Sequence, residues 1–299
     1  MTEAPLTLDE AVPLGYALVL RLAADLGVRA LAIKGPVLAA HGLRDPRTSV
    51  DIDVLVDPAT MPRLQAGLSE LGWVDDGVYD IPGIVPAHSV NHHHELWPCE
   101  LDLHHWFPGF LADPSAVFEV LWARRTSVRV AHTDVAACDE VGAAAVAALH
   151  YLRDERRSLQ VEELAAVVRR DWSPAQVAEL AELAADTGSA ETLRPWLELA
   201  GATVVPDRVP LVVPLADWSL RSSVTTSEVL PWIVGLRRTP WWRRPAYLWH
   251  ALWLDDKHYL VWGARDLTGR ELLAARWARL RRAGRALPAA LRELRRLGR

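Results

Sequence analysis

Between positions 7 and 107 the hydrophobic pattern switches repeatedly between helical and extended periods. From Thr7 to Val28, Leu14, Leu18, Leu22 and Leu26 recur at helical spacing, and Thr7 with Glu10 matches a capping box, so this stretch predicts a helix. Pro13 falls inside it and predicts either a kink or a start one turn later. Ala30 to Ile33 is a short apolar run that predicts a buried strand, closed by Lys34-Gly35-Pro36. A glycine after a strand permits a sharp turn, and Pro36 suits the first turn of a helix reaching about Gly42. A polar loop, Arg44 to Thr48, then leads into the stretch from Ser49 to Asp57 around which the rest is organised. There Asp51 and Asp53 share one face of a strand, roughly 7 Å apart, while Val50, Ile52 and Val54 occupy the other.

A helix from about Ala59 to Leu71 follows, with Met61, Leu64, Leu68 and Leu71 on one face. Gly72-Trp73-Val74 begins an extended piece, and Asp75 to Pro86 reads as loop. Two more strands are predicted, His88 to Trp97 and Glu100 to Trp106. In the second, Glu100, Asp102, His104 and Trp106 face one way and Leu101, Leu103 and His105 the other. Past Pro114 the pattern turns helical, with predicted helices at 114–125, 139–156 and 159–170, an extended piece near 126–136, and a capping box at Ser173 to Gln176. Residues 201–223 read as a Val- and Pro-rich loop. The fold class is therefore α+β: a mixed-sheet core flanked by helices over residues 1–125, then a mainly α-helical region, 126–299, with a basic tail.

Composition adds a polarity along the chain. The net charge is -5 over 299 residues, yet Arg276 onward holds nine arginines against the single acid Glu293, so an acidic body carries a strongly basic tail. That tail reads either as a polyanion-binding segment for RNA, DNA or anionic lipid, or as an amphipathic helix packed through Leu280, Leu287, Leu291, Leu294 and Leu297. Trp232, Trp241, Trp242, Trp249, Trp253 and Trp262 cluster among arginines, and the spacing of Trp249 and Trp253 favours a helical core over nucleobase stacking or a membrane surface. Cys99 and Cys138 belong to no paired motif and read as structural thiols. No secretory signal and no apolar run of the ~18 residues a membrane span requires is present, which predicts a soluble cytoplasmic protein.

Two acids on one face of an apolar strand repel each other, and a divalent cation between them is the economical remedy. Asp102 repeats the arrangement on a later strand; if the two strands are neighbours, Asp51, Asp53 and Asp102 converge. Three strand-borne carboxylates beside a glycine turn describe a two-metal phosphoryl-transfer site, with ions about 4 Å apart. In it Lys34 and the backbone at Gly35 meet phosphate, and Arg47 either clamps a phosphate or pairs with Asp45 or Asp57. His104 binds metal or relays a proton, or else orients Asp102 through a hydrogen bond. His92-His93-His94 resembles a metal-binding tract, but only His92 and His94 share a strand face, so it supports a zinc- or metal-dependent hydrolase weakly.

Lys34-Gly35-Pro36, Arg47, Val50-Asp51-Ile52-Asp53-Val54-Leu55-Val56 and Leu101-Asp102-Leu103-His104, in that order, resemble the bacterial uncharacterised nucleotidyltransferase family of the polymerase-beta-like superfamily. The resemblance covers roughly residues 30 to 107 and, more loosely, 139 to 170. It implies Mg²⁺ (or Mn²⁺) and an NTP as shared equipment, metal-binding roles for Asp51, Asp53 and Asp102, and a phosphate-side role for Gly35. The superfamily usually follows its glycine with serine or glycine; here Pro36 follows and Lys34 precedes, so Lys34 takes over the phosphate contact. The implied activity is transfer of an NMP from an NTP to a hydroxyl, amine or phosphate of a protein, RNA or small molecule, releasing pyrophosphate. A catalytically silent nucleotide- or RNA-binding adaptor on the same fold is the rival from another class.

Overall fold

The computed structural model describes residues 6–77, 88–153, 167, 170–224, 229–252 and 269–297. They form two compact units, Met1–Asp75 with His88–Trp218, and Asp76–Ala87 with Ser219–Arg299.

A seven-stranded mixed sheet organises the first. Its strands are β1 (Ala30–Ala32), β2 (Asp51–Val56), β3 (Val74–Gly77), β4 (Ser89–His93), β5 (Glu100–His104), β6 (Thr126–Val130) and β7 (Thr133–Ala137), in the order β3-β4-β5-β2-β1-β7-β6. β2 lies at the centre, antiparallel to β1 and parallel to β5. Five of its six residues are buried, as expected of a strand covered on both faces, which makes two aspartates on it costly unless they are compensated. Helices described in this unit include α1 (Leu8–Asp25), α2 (Pro36–Ala40), α3 (Met61–Glu70), α4 (Pro114–Ala123), α5 (Glu140–Arg153), α6 (Pro174–Asp186) and α7 (Arg194–Leu199). α6 starts at the predicted Ser173–Gln176 capping box, and α4 at Asp113, whose carboxylate accepts from the N–H groups of Ser115 and Ala116.

α1 departs from its predicted face. It begins at the Thr7–Glu10 capping box and runs through Pro13, but its buried residues are Ala11, Val12, Gly15, Tyr16, Val19, Leu20 and Ala23, while Leu14 is exposed. The reason is close approach: a Cβ at Gly15 would lie 2.2 Å from the Ile52 side chain, so the helix backbone rests directly on β2 and the leucines flank the contact. The predicted helix at 159–170 lies mostly outside the described residues. Within the predicted loop 201–223, the structure forms α8 (Leu215–Val224). Pro214 ends the Val/Pro-rich run and Asp217 stabilises the first helical turn, signals that the composition of the preceding residues masked.

In the second unit, α9 (Leu230–Arg238), a 3₁₀ turn (Trp241–Arg243), α10 (Arg244–Leu252) and α11 (Gly269–Leu297) are described. Leu230 and Val234 of α9 pack with Ala290 and Leu294 of α11. Among the tail leucines whose side chains are described, Leu294 is buried while Leu287 and Leu291 are exposed, and the helix continues through Gly284 and Pro288. Trp249, predicted as core, is 67% exposed because α10 turns that side outward and buries Tyr247 instead. Trp253 and Trp262 lie outside the described residues. Cys99 and Cys138 are buried free thiols, and among the described residues no helix is long and apolar enough to cross a membrane.

Candidate active site

The sheet register brings the predicted acids together. β2 and β5 pair with Asp53 opposite Asp102, Asp51 opposite Glu100 and Leu55 opposite His104. Residues directly opposite in a ladder point to the same face, so the Asp53 and Asp102 carboxylates are side by side, with His104 one step along. Donor atoms of Asp53, Asp102 and His104 all lie within 4.8 Å of one another. Asp51, at the start of β2, stands outside that group but within its field.

On the other flank, β1 pairs with β2 up to Ala32 opposite Val54, and the Ile33 N–H donates to the Asp53 carbonyl at 3.3 Å. The next residue is Lys34, whose Nζ donates to Asp53 Oδ1 at 2.7 Å and lies 5.6 Å from the centre of the Phe107 ring. Gly35 then turns the chain out of the sheet with φ +59. That departure leaves the Asp53 N–H without a strand partner, and the buried Tyr16 hydroxyl of α1 accepts it at 2.9 Å. His104 Nε2 meets the same Oδ1 at 2.9 Å. Because an ionised carboxylate only accepts, the shared hydrogen sits on Nε2, which leaves the buried Nδ1 without a hydrogen-bond partner.

The charges are unevenly served. Burial alone would raise Asp53, but the Lys34 charge and the His104 hydrogen bond outweigh it and hold this carboxyl well below the usual range. Burial pushes Asp102 up to about 8, with the Asp53 charge adding to it, and Asp51 up to about 6 for the same two reasons. His104 is lowered, first by burial, and is therefore neutral. The Tyr16 phenol is raised well above its ordinary value by burial and then by the Asp53 and Asp51 charges. One ammonium thus serves three carboxyls, two of which stay protonated far into the pH range where free acids are ionised.

This donor set fits a divalent metal. Two carboxylates and an imidazole within mutual reach, with carboxyls that burial and repulsion hold short of ionisation, are what a bound cation would relieve. His104 carries a signal in the sequence only as a neighbour of Asp102; its bond runs to Asp53. The three consecutive histidines do not converge: Nε2 of His94 meets the Leu71 carbonyl at 3.1 Å, its Nδ1 accepts from the Leu96 N–H at 3.1 Å, and His92 Nδ1 meets the Val90 carbonyl at 3.1 Å. Among the described residues no three-ligand group includes them. Alternation sets His93 on the face opposite His92, and β4 ends at His93, so His94 leaves the ladder and turns to Leu71; this removes the support for a hydrolase built on that tract.

Arg47 is exposed on the loop before β2, where it lines a cavity of about 420 Å³ with Arg44, Ser49, Pro36 and residues of α1. Asp57, one of its expected ion partners, is bound to Arg29 at 2.7 Å. Arg44 Nη2 donates to Ser49 at 3.0 Å, and its charge reaches Asp51. Sequence reasoning missed Tyr16, Phe107, Arg44 and His88. His88 lies against His104 with the rings tilted, 5.7 Å between their centres, and meets Arg153 of α5 at 3.4 Å.

A protein-family model described as "Uncharacterised nucleotidyltransferase" matches residues 15–204, which contain every one of these site residues. No curated protein matches the chain. Solved structures with some likeness include the lincosamide antibiotic adenylyltransferase LnuA with lincomycin bound, at 17% identity and TM-score 0.31 over 46% of this chain and 82% of that one. The antibiotic-resistance factor ANT(2'')-Ia gives 15% identity and TM-score 0.38 over 66% and 91%. An antigenic nucleotidyltransferase-like protein from Paracoccidioides brasiliensis gives 12% and 0.39 over 69% and 99%.

Proposed function

The chain belongs to the uncharacterised nucleotidyltransferase family, and from that premise we propose that it moves a nucleoside monophosphate from an NTP to an acceptor hydroxyl, amine or phosphate. The observation that carries this reading is the pairing of Asp53 with Asp102 across two parallel central strands, with Lys34 against the first of them. Asp53 and Asp102 would hold Mg²⁺ or Mn²⁺, with Asp51 or His104 completing the set. When bound, such a cation neutralises triphosphate charge and polarises the reacting phosphoryl group.

The chain's own residues then do three things. Lys34, the Gly35 turn and Arg47 bind the triphosphate, and they orient it with its leaving pyrophosphate in line with the acceptor. Asp102 takes the acceptor's proton as the new bond to the α-phosphorus forms. The bond from the α-phosphorus to the bridging oxygen breaks, and pyrophosphate leaves with the electron pair. His104 keeps Asp53 ionised and oriented throughout.

The test is incubation of the full chain with each labelled NTP, Mg²⁺ and a cell extract. Label moving onto protein, RNA or a small molecule, with matching pyrophosphate release, is the expected result and names the acceptor class. Tight nucleotide or RNA binding with no pyrophosphate from any NTP would sink the transferase reading in favour of a silent adaptor.

The arginines of α11 are a separate part of the proposal. Arg281, Arg282, Arg285 and Arg292 are exposed on it and would contact a polyanion. Changing these four to glutamine is expected to weaken binding to single-stranded RNA. The slope of log affinity against log salt should flatten by about 0.7 for each phosphate that the helix no longer neutralises. An unchanged slope in filter binding would make the helix a solvated surface and nothing more.

A further inference from the structure

We propose that Lys34 is a placeholder for the metal: its ammonium holds the carboxylate that the divalent cation needs, and cation binding releases it to the incoming triphosphate. The inference rests on the nucleotidyltransferase reading above and deepens it, since it makes one side chain the link between metal and nucleotide.

Three observations support it. Lys34 Nζ and His104 Nε2 both donate to one oxygen, Asp53 Oδ1, at 2.7 and 2.9 Å. The Lys34–Asp53 pair is largely buried, with side chains 13% and 3% exposed, so the charge on Asp53 is neutralised from within the protein. Finally, lysine occurs in this chain only at positions 34 and 257, every other basic position being arginine or histidine.

That last choice has a physical meaning. An arginine at 34 would grip Asp53 with a planar, bidentate fork, whereas lysine carries a compact charge on a flexible four-carbon stem. A point charge on a flexible stem is easily displaced and easily redirected. A dication and an ammonium on one buried carboxylate repel each other strongly, so metal entry expels the Lys34 head. Its stem is rooted where β1 ends, one residue before the Gly35 turn. The released charge therefore stays beside the site, where the triphosphate brings the next available anion.

The experiment uses the full-length protein and Mn²⁺ alone as probe, at alkaline pH so that protons do not compete for the carboxylates. Lys34→Met is expected to bind Mn²⁺ at least about tenfold more tightly than the unaltered protein, because no internal cation has to be expelled. Lys34→Arg, which keeps the charge and the pairing, is expected to bind it more weakly. In the unaltered protein, acylation of the Lys34 amine, followed by mass spectrometry with Lys257 as internal reference, should be slow without metal. It should accelerate with Mn²⁺ and slow again when a nonhydrolysable NTP analogue is added. If Lys34→Met does not fold, the Lys34→Arg affinity and the acylation rates decide. Mn²⁺ binding with equal affinity in the unaltered protein and the variants, and acylation indifferent to metal, would overturn the inference and leave the transferase reading standing. Absence of any Mn²⁺ binding would remove both.

Discussion

Asp102→Asn and Asp53→Asn are both expected to abolish nucleotidyl transfer and to move the melting temperature in opposite directions. The loss of activity should be about 10²–10⁴-fold or more in each, the range for removing a catalytic proton acceptor, with a ligand lost as well. Stability separates them because the two carboxyls are differently compensated. Asp102 is raised to about 8, first by burial and then by the Asp53 charge, so at neutral pH the folded protein must keep protonated a group that the unfolded chain leaves ionised. A folded-state value above the unfolded one is, for an acid, a destabilising contribution that begins above the unfolded value and grows as pH rises. Asparagine removes it, and the metal-free variant should melt higher, by about 2–4 °C for each kcal/mol of strain relieved in a chain of this size.

Asp53 stands the other way. It is the anchor for the Lys34 ammonium and the His104 N–H, both largely buried. Asparagine there removes the carboxylate to which both groups donate and leaves Lys34 only the less closely placed Asp51 and Asp102, so the melting temperature should fall. Differential scanning fluorimetry beside a pyrophosphate-release assay checks all four values. Two variants that both melt lower, by similar amounts, would mean that the acids form one structural network and that charge crowding does not govern the site.

The acids were readable in the sequence for a simple reason. Period-two alternation fixes which residues of a strand share a face, so Asp51 with Asp53, and Asp102 with His104, follow from spacing alone. What spacing does not contain is register between strands. The antiparallel pairing of β1 with β2 sets Lys34 against Asp53, 19 residues away, in an internal ion pair that spacing alone does not show. Parallel pairing of β2 with β5 places Asp53 opposite Asp102, and therefore puts His104 on Asp53 and not on Asp102.

Helix-borne contributions were less legible still. Tyr16 looked like one residue among the leucines of an amphipathic helix; only the close packing of Gly15 on Ile52 selects the face that carries it. His88 and Arg153 come from either side of β5 in sequence and meet because α5 packs nearby, a proximity no local pattern encodes. The tail shows the same limit: arginine content fixed its charge, while partners on α9 decided that Ala290 and Leu294, and not the exposed Leu287 and Leu291, form its packing face.

Gly35→Ala is expected to be nearly as damaging as loss of Asp53, although alanine adds only one methyl group. Two effects combine. The backbone has φ +59 with ψ -120, a conformation that L side chains rarely adopt and that costs of order 1–3 kcal/mol for a non-glycine residue. The new Cβ would also lie 2.8 Å from the Tyr16 hydroxyl oxygen, closer than a Cβ is found to approach, and 3.1 Å from its ring, tighter than most such contacts. Tyr16 has no room to retreat, being fully buried, and its hydroxyl holds the N–H of Asp53. Any movement that relieves the methyl group therefore shifts the backbone of the residue on which Lys34 and His104 converge. Gly35→Ala should lower stability by about 2–4 kcal/mol, within the range for overpacking plus backbone strain, and depress transfer further than the stability loss explains. Tyr16→Phe alone should be destabilising by about 1–3 kcal/mol, because it leaves a buried N–H unpaired. In the double variant Gly35→Ala with Tyr16→Phe the hydroxyl clash is gone, and the two penalties should sum to less than their separate values by about 1 kcal/mol. Denaturant unfolding of the four proteins measures that coupling. Strict additivity would mean that Gly35 is required for its backbone angle alone, and that the hydroxyl of Tyr16 does not transmit the turn to Asp53.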